Sequence, residues 1–81
     1  MNYRKAERVV GIVIKEFRAE RERQDLSLRR FGQLSGMSRT YISMVEKGQR
    51  SPSLLNCIRL ASALGLSLDD LLAKATRDGS A

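Results

Sequence analysis

Four small residues confine the middle of this chain. From Leu26 to Ser53 it reads LSLRRFGQLSGMSRTYISMVEKGQRSPS. Ser27 and Ser38 stand where a helix start needs a side-chain oxygen to accept from backbone N–H groups that have no partner inside the helix. Gly36 falls where the chain must turn, and Gly48 is well placed for the left-handed residue that closes a helix. The segment therefore reads as two short helices, over about 28–35 and 39–47, joined by a tight turn and followed by a basic loop. Such a pair is held in place only if one side of each helix is buried. Leu28, Phe31 and Leu34 supply the apolar side of the first, and Ile42 and Val45 that of the second. Gly32 costs ~1 kcal/mol against Ala in a helix. Its presence makes sense if another helix backbone approaches closely there.

Three further helices complete the reading. The first runs from about Ala6 to Gln24, with Ala6, Val10, Val13, Ile14, Phe17 and Arg21 on one face. Val9 sits at the border of that face and Ile12 falls off it. Ser51 is expected to cap the fourth helix, with Pro52 in its first position, where the missing N–H is harmless. Leu54, Leu55, Ile58, Ala61 and Leu64 form its apolar side, and Gly65 ends it. Ser67 with Asp70 three residues on resembles a capping box. A fifth helix then follows from Leu68 to Ala75, burying Leu68, Leu71 and Leu72. The expectation is an all-α, compact five-helix domain over 1–75, with the helix-turn-helix at about 27–47 and a flexible tail over 76–81.

Charge and composition narrow what such a domain could do. A formal net charge of +6 on 81 residues favours a polyanionic partner, nucleic acid first. Cys57 is the single cysteine and there is no histidine. No internal disulfide, structural zinc site or other metal site is expected, and the commonest general base is missing. The chain reads as no enzyme, without catalytic residues and without a cofactor. No apolar run reaches the ~18 residues of a membrane span, and MNYRKAERVVGIVIKEF lacks the features of a cleaved leader. The expected location is the cytoplasm, with no membrane partner.

The residues at the start of the 39–47 helix have the chemistry to read bases. Arg39 offers two parallel donors that match guanine O6 and N7. Thr40 and Ser43 offer hydroxyls, Tyr41 a hydroxyl and a ring, and Met44 an apolar surface one turn on. Around them lie groups suited to phosphate: Ser27, Arg29, Arg30, Ser38, Lys47, Gln49 and Arg50. A helix that presents its N-terminal end in this way suits the major groove of duplex DNA.

The chain also resembles the Cro/repressor-type helix-turn-helix family, or XRE family, which has a lambda-repressor-like fold. The resemblance runs from Phe17 to Leu72. It is carried by Phe31-Gly32, Ser35-Gly36-Met37-Ser38, Tyr41-Ile42-Ser43, Val45-Glu46-Lys47-Gly48, Leu60-Ala61, Leu64-Gly65 and Leu68-Asp69-Asp70-Leu71-Leu72. The run RTYIS is similar to small controller proteins of restriction-modification systems. The resemblance implies a transcriptional regulator that binds double-stranded DNA as a homodimer on a two-fold symmetric operator, with base readers at Arg39, Thr40, Ser43 and Met44. It also implies a structural salt bridge between Arg21 and Glu46. Where the family usually carries a phosphate-binding Gln after the second helix cap, this chain has Leu28. That shifts the contact to Arg29 or Ser27. An adaptor or antitoxin that uses the same fold to bind a protein is the alternative. The dimer contact is expected on the fifth helix, the loop before it and the outer face of the first.

Overall fold

The computed structural model describes residues 1–79. These form five helices and no strand: α1 (Tyr3–Arg23), α2 (Leu28–Ser35), α3 (Arg39–Glu46), α4 (Leu54–Leu64) and α5 (Leu68–Asp78). No helix among the described residues is long and apolar enough to cross a membrane.

Helix starts follow short polar side chains. Asn2 Oδ1 accepts from Lys5 N–H at 2.8 Å. Ser27 Oγ accepts from Arg30 N–H at 3.0 Å, and Ser38 Oγ from Tyr41 N–H at 3.0 Å. α4 begins two residues later than the sequence reading places it. Ser53, rather than Ser51, takes the cap, accepting from Asn56 N–H at 3.1 Å. Pro52 therefore lies outside the helix. Two serines flank that proline, and residue type alone does not choose between them. The α5 start differs as well. Ser67 precedes the helix but makes no side-chain cap bond. Its hydroxyl donates instead to the Asp69 carboxylate, two residues on, so the capping box with Asp70 does not form. That hydroxyl is the first cause holding the Asp69 carboxyl below the usual aspartate range.

The core gathers around Phe17, Phe31, Ile42 and Leu60, the largest fully buried side chains. Val9, Val13, Ile14, Val45, Ala61, Leu64 and Ala75 close it. Three departures from the sequence reading share a cause: helical periodicity finds apolar stripes but does not say what covers them. On α1, Val9 is buried while Val10 is exposed. α5 runs three residues past Ala75, and at its end a Cβ on Gly79 would lie 3.4 Å from Val9 and 3.8 Å from Ile12. Thus the longer α5 covers the side of α1 that the shorter one would leave bare. On α5 itself Ala75 is the buried residue, Leu68 and Leu71 are half-buried, and Leu72 lies at the surface. Ser80 and Ala81, the rest of the expected tail, lie outside the described residues.

The largest correction concerns α2 and α4. Leu34, Leu54, Leu55 and Ile58 all face outward, with Leu54 at 68% and Leu55 at 64% exposure. α4 is apolar on two sides. Leu60, Ala61 and Leu64 go to the core, and the 54, 55, 58 stripe does not. Cys57 is half-buried, and this burial pushes its thiol pKa up.

Candidate nucleic-acid interface

The α2–α3 unit is held together by backbone geometry that only small residues allow. A Cβ on Gly32 would lie 2.6 Å from the Met37 carbonyl oxygen. The close backbone is thus the turn itself rather than a neighbouring helix. Gly36 adopts φ +72°, the left-handed region that glycine enters at least cost. Its successor Met37 donates its N–H to the Gly32 carbonyl at 2.9 Å, closing α2. The chain then enters α3 through the Ser38 cap.

α3 is two-sided. Ile42 and Val45 are buried at 1% and 2% exposure. Residues 39, 40, 43, 44 and 47 occupy the opposite stripe at helical spacing. Arg39, Thr40 and Lys47 are exposed, and Ser43 and Met44 are half-buried at the edge. Among the described residues, the Arg39, Thr40, Ser43 and Lys47 side chains make no intramolecular hydrogen bond or ion pair. They stand ready for an outside partner. There is no acidic residue in the first turn of α2, α3 or α4. The partial positive charge of those three helix starts is therefore unopposed locally.

The surrounding groups are placed as a rim. Ser27 and Ser38 are exposed, each with its hydroxyl occupied in accepting a cap bond. Arg29 is exposed, and Arg30 is exposed with Nη1 donating to Gln33 Oε1 at 3.2 Å. Gln49 and Arg50 are exposed in the loop after α3. The Arg50 guanidinium lies 5.6 Å from the centroid of the Tyr41 ring, within cation–π range. Tyr41 itself is half-buried, and its hydroxyl accepts from Asn56 Nδ2 at 2.9 Å. It is anchored on α4 in a way that Arg39 and Thr40 are not.

α3 is also tied from behind. Arg21 donates from Nε to Glu46 Oε2 at 2.8 Å and from Nη2 to Oε1 at 3.0 Å. Its Nη1 donates to the Leu26 carbonyl at 2.8 Å. One guanidinium thus joins the end of α1, the α1–α2 loop and the end of α3. The pair is largely shielded, with side-chain exposures of 12% and 8%. The Glu46 hydrogen bonds hold the Arg21 pKa above the ordinary arginine value. Gln24 ties the end of α1 to α4 instead, donating Nε2 to the Leu64 carbonyl at 2.8 Å.

The HTH_3 helix-turn-helix family model matches residues 17–71, well over half the chain. The chain belongs to this helix-turn-helix family. Within the family it is similar to control proteins. It is 38% identical over 68 residues to control protein C.SmaI of Serratia marcescens, covering 84% of this chain and 77% of that protein. It is 37% identical over 51 residues to control protein C.MunI of a Mycoplasma species, covering 63% and 69% of the two chains. The crystal structure of the restriction-modification controller protein C.AhdI from Aeromonas hydrophila superposes with a TM-score of 0.69 at 36% identity. That match covers 78% of this chain and 94% of the other. The five-helix architecture is thus the all-α helix-turn-helix fold, and the protein is a sequence-specific DNA-binding transcriptional regulator.

Asn56 and Arg59 of α4 were not legible as part of this site. On the sequence they are ordinary polar positions within an apolar helix. Only the fold brings Asn56 to Tyr41 and Arg59 to the Gly36 carbonyl, at 2.9 and 2.8 Å.

Proposed function

We propose that the protein works as a cytoplasmic homodimer on a two-fold symmetric duplex operator, each copy laying the N-terminal end of α3 in the major groove. Arg39, Thr40, Ser43 and Met44 face the bases, and Tyr41 joins them at the edge. Ser27, Arg29, Arg30, Ser38, Lys47, Gln49 and Arg50 meet the phosphates, the two serines through the hydroxyl hydrogen that accepting a cap bond leaves free and through backbone N–H groups. The observation that carries this reading is the unpaired stripe of Arg39, Thr40 and Ser43 opposite the buried Ile42 and Val45. Arg21 and Glu46 serve structure: they hold α3 at a fixed angle to the body.

The dimer contact is better supplied by α4 than by the α5 and α1 surfaces that the sequence favours. Leu54, Leu55 and Ile58 form one outward apolar stripe, and Ile58 shares a shallow recess with Leu34, Arg59 and Ala63. A second copy of the same helix would cover it by two-fold symmetry, stripe against stripe. Ile58 shares its recess with Leu34 and Ser35 at the end of α2, so pairing there would set the distance between two recognition helices. Operator half-sites about one helical turn apart, ~34 Å, are the geometric expectation.

Selection of bound duplexes from a random pool tests the whole reading. One enriched, two-fold symmetric sequence is the expected result. Arg39→Ala should then reduce discrimination at one base position by ~1 to 3 kcal/mol. Enrichment of nothing, at any salt concentration, would overturn the reading in favour of a protein-binding role.

A further inference from the structure

Three hydrogen bonds run in series from α4 to both sides of the α3 start. Arg59 Nη2 donates to the Gly36 carbonyl at 2.8 Å, in the turn before α3. Arg59 Nη1 donates to Asn56 Oδ1 at 3.4 Å. Asn56 Nδ2 donates to Tyr41 Oη at 2.9 Å, in the first turn of α3. The Asn56 side chain is read by both neighbours. Its oxygen must face the guanidinium, which has only donors, so its amide nitrogen faces the tyrosine.

We propose that Asn56 and Arg59 are positioning residues for DNA recognition: through this relay they fix the start of α3 and leave the Tyr41 hydroxyl as a donor to the nucleic acid. Asn56 occupies an acceptor site on the tyrosine oxygen. The phenolic hydrogen is left for an acceptor outside the protein. Duplex DNA offers such acceptors in phosphate oxygens, in guanine O6 and N7, in adenine N7 and in thymine O4. The Arg50 guanidinium lies 5.6 Å from the centroid of the same ring and adds a weak cation–π contact on its face. On the other side of the cap, Arg59 packs against Gly36 so closely that a Cβ there would lie 2.7 Å from Nη2. Glycine at 36 is required by the left-handed turn, and its open side leaves room for this guanidinium. The relay sits on α4 between the outward Leu55 and Ile58 and the reading helix, so the helix that presents the apolar stripe also holds the reader.

This inference rests on the DNA-binding reading above, and its test separates the two. Affinity of the full chain for the pool-selected duplex and for a scrambled duplex is measured at one salt concentration, alongside the thermal midpoint. Asn56→Ala should lower the selected-to-scrambled affinity ratio by about two- to tenfold, the range of one hydrogen bond. The same substitution in a Tyr41→Phe background should lower it no further. Arg59→Lys keeps the charge but cannot donate in two fixed directions. It should fold normally and lose part of the same ratio. The inference is overturned if Asn56→Ala weakens both duplexes equally, or if its effect persists undiminished in the Tyr41→Phe background. A wild-type chain that shows no preference for any duplex would instead bring down the DNA-binding reading, and the inference with it.

Discussion

α3 and α4 are both amphipathic on paper, yet their outward faces differ in kind. α3 turns Ile42 and Val45 inward and shows Arg39, Thr40 and Ser43. α4 turns Leu60, Ala61 and Leu64 inward and shows Leu54, Leu55 and Ile58. A polar outward stripe within a cationic rim suits a polyanion. An apolar outward stripe suits another protein surface. The two helices share one core and are joined by the Asn56–Tyr41 bond. On the function proposed above, α3 would serve the nucleic acid and α4 a second copy of the chain.

The comparison breaks most readily at the ties behind α3. Arg21→Met should destabilise the fold by ~3 to 5 kcal/mol, because the shielded Glu46 carboxylate loses its bidentate partner. Chemical denaturation reads this directly. A loss below ~1 kcal/mol would mean that water, or Arg18 with its Nε 3.9 Å from Glu46 Oε1, compensates the carboxylate. Ile42→Ala should cost ~2 to 5 kcal/mol by leaving a cavity under the reading helix. Leu54→Ala, an equal-looking deletion on the outward side of α4, should stay within ~0.5 kcal/mol in the isolated chain. Equal costs at the two positions would erase the distinction drawn between these helices.

A subtler contrast lies in association. Leu55→Asp should leave the thermal midpoint of the dilute chain nearly unchanged while abolishing concentration-dependent dimer formation in sedimentation. A dimer that survives the charge would place the contact elsewhere, on α5 or α1. The smallest effect lies outside both helices. Asp69 and Glu20 have carboxyls held below their ordinary range, by the Ser67 hydroxyl and by the Gln24 amide respectively. The stabilisation from a lowered carboxyl is fully present above the unfolded pKa and fades as pH falls through the folded one. The thermal midpoint should therefore drift down as pH drops through and below the carboxylate range. Asp69→Asn should flatten part of that drift.

Much of this molecule was legible because local chemistry and global packing agree. Ser27, Gly36, Ser38 and Gly65 mark helix ends that the fold keeps. Ile42 and Val45 could be assigned inward because α3 has only one apolar side. α4 has two, and periodicity cannot choose between stripes of equal hydrophobicity. That is why the sequence points Leu54, Leu55 and Ile58 inward and gives no sign of Leu60. The α5 end was hidden for a different reason. Thr76, Arg77 and Asp78 are polar, but the helix they extend ends at Gly79, where even a Cβ would come within 3.4 Å of Val9. The Asn56–Tyr41 and Arg59–Gly36 contacts span 15 and 23 residues. No local pattern announces them.

Cys57 offers a use beyond its packing. As the sole thiol, half-covered and kept protonated by its burial, it should react slowly with an alkylating reagent while α4 is seated. Each transient lifting of α4 would expose it. Labelling speed is therefore a built-in clock for how often the helix that carries both the relay and the apolar stripe comes loose, and a bound operator should make that clock run slower.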